Sequence, residues 1–129
     1  MDRKHATLPA DSGRHEVSHA QVTRQAGELV IEPTAEILDT RTLATLLAEI
    51  EADELAAGVQ RVTFDLNRVA QLGPQWTVVV AMLIGFARRI PAACRLDRLR
   101  GQPAAVLTLF AGRPMAMGTV ATCVTLNAA

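Results

Sequence analysis

The stretch from Val62 to Arg89 constrains the fold of this chain more than any other. Residues 62–66 alternate apolar and polar side chains, which is the period of a pleated strand. Gly73-Pro74 follows, and proline is favoured in the first turn of a helix. The run Thr77–Val80 has high strand propensity, but the length of the apolar segment and its starting proline favour a helix from about Pro74 to Arg89. A strand followed by a helix that is apolar nearly all round predicts an α/β protein in which this helix crosses a sheet.

A hairpin and a helix are predicted ahead of this unit. Segments 21–25 and 28–33 flank Ala26-Gly27, a pair suited to a tight turn between two strands. Asp39 is a good N-cap for a helix running to about Ala57. The apolar stripe of that helix consists of Leu43, Leu46, Leu47 and Ile50.

A strand and a helix are predicted after it. Residues 94–99 form a strand, and Gly101-Gln102-Pro103 begins a helix with apolar residues at helical spacing that ends near Gly112. Strands that alternate with helices imply a parallel or mixed sheet covered by those helices.

The chain of 129 residues has the length of one domain. Residues 1–20 are polar, hold all three histidines and are predicted to be a flexible tail. Residues 21–114 form the predicted folded domain. Residues 115–129 include the β-branched stretch Thr119–Leu126, so a last strand and a loose tail are both possible there.

Composition excludes several classes of partner. Basic and acidic residues balance at 13 each, and the aromatic residues are one Trp and three Phe, so neither a nucleic-acid interface nor a polybasic membrane contact is expected. The longest apolar stretch, Trp76–Ala87, is shorter than the about 20 residues that cross a bilayer. Two cysteines fit a reduced protein better than a disulfide scaffold. We expect a soluble, cytoplasmic protein.

No motif that carries chemistry is present in the sequence. A phosphate-binding loop, a dinucleotide fingerprint and a metal-spaced cluster are all missing. The histidines lie outside the predicted folded part, so no histidine base is expected beside a serine or cysteine nucleophile. We therefore expect no enzyme activity, no catalytic residues, no metal and no cofactor.

Three segments resemble the STAS family, the sulphate-transporter and anti-sigma-factor-antagonist domains. Leu38-Asp39 matches the start of the family's first helix, although Glu36 stands where glycine is usual. Segment 62–69 is similar to the central strand and its exit, and Gly101-Gln102-Pro103 is similar to the Gly-x-x-Pro start of the last helix. The resemblance covers residues 21–112. It implies an α/β, STAS-like fold with a mixed sheet of four to five strands and three to four helices.

The most diagnostic motif of the family is altered in this chain. Where the family commonly has Asp-Ser-Ser-Gly with a phosphorylated serine, the sequence reads Gly73-Pro74-Gln75-Trp76. Neither proline nor glutamine carries a hydroxyl, so no phosphoacceptor remains at the family position. Thr77 is the nearest hydroxyl, and whether it replaces the lost acceptor stays open.

The resemblance implies a non-catalytic protein-binding module, active in bacterial signal transduction and regulation of transcription. The candidate partner-binding residues are Gly73, Pro74, Gln75, Trp76 and Thr77. Trp76 is either an aromatic anchor for the partner or a core residue under the end of the sheet. The partner implied is an anti-sigma kinase, bound independently of phosphorylation. An accessory STAS subunit that docks on the ATPase of a lipid transport system is one alternative, and a small-ligand sensor is another.

Overall fold

The computed structural model of the protein describes residues 12–111 and 123–126. Its strands and helices alternate after an initial run of three strands. In chain order the elements are β1 (Ser12–Val17), β2 (Ala20–Gln25), β3 (Glu28–Pro33), α1 (Thr40–Ala52), β4 (Arg61–Asp65), α2 (Trp76–Arg89), β5 (Ala93–Asp97), α3 (Gly101–Ala111) and β6 (Cys123–Thr125).

All strands belong to one six-stranded sheet in which the spatial order is the chain order. Strands β1, β2 and β3 form an antiparallel meander, β3, β4 and β5 are parallel, and β6 pairs antiparallel with β5. The predicted mixed α/β architecture is confirmed. The prediction of four to five strands is wrong, because the sheet has six.

The additional strand is β1, which lies inside the range predicted to be a flexible tail. Its sequence, SGRHEV, lacks the apolar alternation that identifies a strand, yet every residue from Ser12 to Val17 is in register with β2. Backbone pairing along the edge of an existing hairpin needs no apolar side chains of its own. Residues 1–11 of the predicted tail lie outside the described residues. In the predicted C-terminal segment 115–129, residues 123–125 form a strand, and only residues 123–126 are described.

The hairpin between β2 and β3 has the predicted turn. Ala26 and Gly27 have φ values of 51° and 81°, so both lie in the left-handed region that two-residue hairpin turns require. The strands on either side, Ala20–Gln25 and Glu28–Pro33, agree with the predicted segments to within one residue.

One face of the sheet carries the core. Val62 and Phe64 of β4 and Leu83 of α2 are fully buried. The rings of Phe64 and Phe86 meet edge to face with centroids 5.7 Å apart. Helix α3 adds Leu107 to the same core, so all three helices contribute to one apolar cluster.

Helices α1 and α2 are shorter than predicted. Helix α1 ends at Ala52 rather than near Ala57, because Glu54 adopts a left-handed φ of 52° and the Leu55 amide bonds back to the Ile50 carbonyl oxygen. This is the Schellman arrangement that terminates helices. Helix α2 begins at Trp76, two residues after the predicted start. Among the residues described, no helix has the length and apolar character needed to cross a lipid bilayer.

Candidate functional site

The candidate residues lie at the end of the loop that joins β4 to α2 and in the first turn of α2, at the edge of the sheet where the parallel strands end. This edge is where ligands of open α/β sheets usually bind. The loop is tied to the segment between β3 and α1 by backbone hydrogen bonds. The Ala70 amide donates to the Glu36 carbonyl oxygen at 2.8 Å, and the Leu38 amide donates to the Gln71 carbonyl oxygen at 2.9 Å.

Gly73 sets the bend from which α2 starts. Its φ of +82° is a conformation that other residues rarely adopt, and a Cβ there would lie 3.6 Å from the Asp39 Cβ and 3.9 Å from the Ile37 Cγ2. The requirement for glycine is therefore conformational. Pro74 follows directly and fixes the next φ.

The five predicted partner-binding residues form one continuous turn. Gly73 is buried at the base, whereas Pro74, Gln75 and Thr77 are exposed. Trp76 is half-buried and packs against the core. The structure shows the contact of Trp76 with the core, and a role of Trp76 as an anchor for a partner stays a prediction.

The start of α1 lies beside the start of α2. The Thr40 hydroxyl is 3.4 Å from the Gln75 side-chain oxygen, to which it donates. Asp39 caps α1 by accepting a hydrogen bond from the Thr42 amide at 2.9 Å. That bond lowers the pKa of the Asp39 carboxyl below its ordinary value. Gln75 is the N-cap of α2 but makes no side-chain capping bond.

Two apolar side chains that the sequence did not single out flank this turn. Among the residues that the structure describes, the exposed large apolar side chains are Ile37 and Val78, each 47% exposed. Ile37 lies against Gly73, and Val78 lies in the first turn of α2. Val78 sits in a run that is apolar nearly all round, so the pattern alone gave no signal that it faces outward.

A groove continues from Val78 between α1 and α2. It is open to the surface, has a volume of about 430 Å³ and is closed at its far end by an ion pair between Glu51 and Arg89 at 2.7 Å. Small side chains make up much of its lining: Ala44, Ala48, Ala81 and Gly85.

The carboxylates at the ends of the parallel strands are each paired with an arginine. Asp65 of β4 accepts a two-pronged hydrogen bond from Arg98, which raises the pKa of that guanidinium. Glu32 of β3 lies 3.4 Å from Arg68. The acidic groups are thus engaged in ion pairs with arginine side chains.

Reactive side chains are scarce in the described part of the chain. No group of three or more His, Cys, Asp or Glu residues with the geometry of a metal site occurs in residues 12–111 and 123–126. Cys94 of β5 is buried, and burial raises the pKa of its thiol to about 12. Because the thiolate is the nucleophilic form, burial favours the less nucleophilic protonated form of Cys94.

Comparison with known proteins gave no match among protein-family models, curated proteins or solved structures. The STAS resemblance therefore stays a prediction from the sequence.

Proposed function

We propose that this protein is a non-catalytic, STAS-like binding module that resembles an anti-sigma factor antagonist. Its partner surface is centred on residues 73–77. The observation that carries the proposal is that the exposed large apolar side chains of the described residues lie near this turn, Ile37 beside Gly73 and Val78 in the first turn of α2. Exposed apolar side chains grouped in one place mark surfaces that a partner covers.

The composition of the turn supports protein binding. Pro74 limits the freedom of the backbone, which reduces the entropy lost when a partner binds. Trp76 presents part of a large, rigid side chain of the type most enriched among residues that dominate binding energy.

The groove between α1 and α2 favours a protein partner over a small ligand. Small-molecule sites usually enclose most of the ligand surface. This groove is open and begins at Val78, so a segment of a protein partner could follow it from the turn toward Glu51.

The proposed binding is independent of phosphorylation at the family position, because Pro74 and Gln75 lack hydroxyls. The resemblance suggests an anti-sigma kinase in the cytoplasm as partner, and an ATPase of a lipid transport system as the alternative.

The test uses these two classes of partner, each purified from the source organism, with binding measured by calorimetry. We expect one of them to bind wild-type protein, and Val78→Glu to weaken that binding by about 30-fold or more, since residues that dominate an interface contribute about 2 kcal/mol or more. Ala57→Glu is the matched control, because Ala57 is also exposed and lies on the connection leading to the opposite edge of the sheet. Phosphatase treatment of the protein should leave the affinity unchanged. Equal binding of Val78→Glu and Ala57→Glu, or no binding by wild-type protein, contradicts the proposal.

A further inference from the structure

A side chain from α3 contacts the candidate turn immediately before its bend. The Gln102 side-chain oxygen accepts a hydrogen bond from the Leu72 amide, with 2.6 Å between Oε1 and N. Leu72 is fully buried and directly precedes Gly73. A buried amide left without a partner is costly, so this bond fixes the backbone where the turn begins.

The residues at the start of α3 also contact the loop that joins β4 to α2. The Arg100 Nε donates to the Asn67 carbonyl oxygen at 2.7 Å. A Cβ at Gly101 would lie 3.3 Å from the Ala70 carbonyl oxygen, so the backbone of α3 approaches the loop closely. Three consecutive residues, 100–102, therefore hold the loop from the side of α3.

The opposite side of the loop is held by backbone groups. The Ala70 and Gln71 amides both donate to the Glu36 carbonyl oxygen, at 2.8 Å and 3.2 Å. Substitution cannot remove these backbone acceptors, whereas the acceptor at Leu72 belongs to a side chain. Substitution of Gln102 therefore removes the hydrogen bond that lies immediately before the bend.

We infer that Gln102 is a positioning residue for the partner surface. Its hydrogen bond to the Leu72 amide sets the bend at Gly73 and so the direction in which Pro74 and Trp76 are presented. The relevance of this role to binding rests on the proposed function.

The experiment compares Gln102→Met, which keeps the length of the side chain and removes the acceptor, with Gln102→Glu, which keeps an acceptor oxygen. Gln102→Asn, whose amide is one methylene shorter, serves as a second variant if the methionine variant does not fold. Gln71→Met is the matched control, because Gln71 is exposed on the same loop. The readouts are hydrogen exchange of the Leu72 amide by NMR and the emission maximum of Trp76, the single Trp of the chain.

We expect exchange at Leu72 to become roughly tenfold faster in Gln102→Met, as loss of one hydrogen bond implies. The Trp76 emission should shift in the same variant, and Gln102→Glu and Gln71→Met should both resemble wild-type protein. Unchanged exchange in Gln102→Met, or failure of Gln102→Glu to restore it, would overturn the inference.

Hydrogen exchange and Trp emission are measured without a partner. A negative result for Gln102 is therefore distinct from a negative result for the proposed function, which is tested with Val78→Glu. When a partner has been identified, Gln102→Met should also lower the affinity of the protein for that partner. Faster exchange at Leu72 with an unchanged Kd would overturn the positioning role and leave the proposed function intact.

Discussion

Helices α1 and α2 start side by side at one edge of the sheet, yet the two starts are built differently. Asp39 has an extended backbone, with φ −90° and ψ −176°, and its carboxylate caps α1. Gln75 has φ −100° and ψ 40° and provides no side-chain cap for α2. The first start has a side-chain cap, whereas the second follows Gly73 and Pro74 and has none. A helix start that departs from local rules and displays apolar side chains is where a binding role is expected.

The largest expected effect comes from truncating a side chain of the core that the helices share. Phe64 is fully buried and packs edge to face on Phe86. Phe64→Ala should lower the free energy of unfolding by about 3–5 kcal/mol, measured by urea denaturation, because it removes a buried ring and leaves a cavity. Val30→Ala, at a half-buried position of neighbouring β3 on the opposite face, is the control and should lose much less. A loss below about 1 kcal/mol for Phe64→Ala contradicts the packing described above.

Trp76→Ala tests the start of α2, because this substitution should lower both the stability of the protein and its affinity for the partner. Full truncation of a buried Trp costs about 3–5 kcal/mol, so a half-buried indole should cost roughly 1–3 kcal/mol. Binding of the partner should weaken by a further amount of about 2 kcal/mol or more.

Ile84→Ala is the control for Trp76→Ala. Ile84 is half-buried against the core in the same helix and lies away from the turn. Ile84→Ala should reduce the stability of the protein without changing its affinity for the partner. Equal losses of affinity in the two variants would place Trp76 in the core alone.

The smallest effects distinguish the two helix starts directly. Asp39→Ala should lower the melting temperature at pH 7, and Gln75→Ala should leave it nearly unchanged, because only Asp39 caps its helix.

The effect of Asp39 should also depend on pH. The pKa of Asp39 in the folded protein is below its ordinary value of 3.8. Its stabilising contribution is therefore complete above 3.8 and is lost as the pH falls through the lowered pKa. Melting curves of wild-type protein and Asp39→Ala should converge at acid pH. A constant difference across that range contradicts the capping role.

Local sequence patterns predicted the elements in which buried and exposed side chains follow a regular period and the turns that contain glycine. The alternation in residues 62–66 predicted β4, and the Ala26-Gly27 pair predicted the hairpin turn. Strand β1 escaped prediction because its pairing is made by the backbone and its side chains are mostly polar.

The turn at residues 73–77 was predictable because glycine and proline restrict the backbone locally. The contacts around it were not. Ile37 lies 36 residues before Gly73 and Gln102 lies 30 residues after Leu72, and only the folded sheet brings them to the loop. Sequence therefore predicted the position of the candidate surface and missed the residues that complete and support it.

The agreement between spatial and chain order in the sheet has a consequence for folding kinetics. Each new strand pairs with the one before it, so the chain can extend the sheet one strand at a time. Closing short loops loses less conformational entropy than closing long ones, so the antiparallel meander closes at a lower entropic cost than the parallel pairs, in which Glu28 pairs with Arg61 and Arg61 with Ala93. The meander β1–β2–β3 can form first during synthesis, and each later βα unit then docks on an edge that already exists.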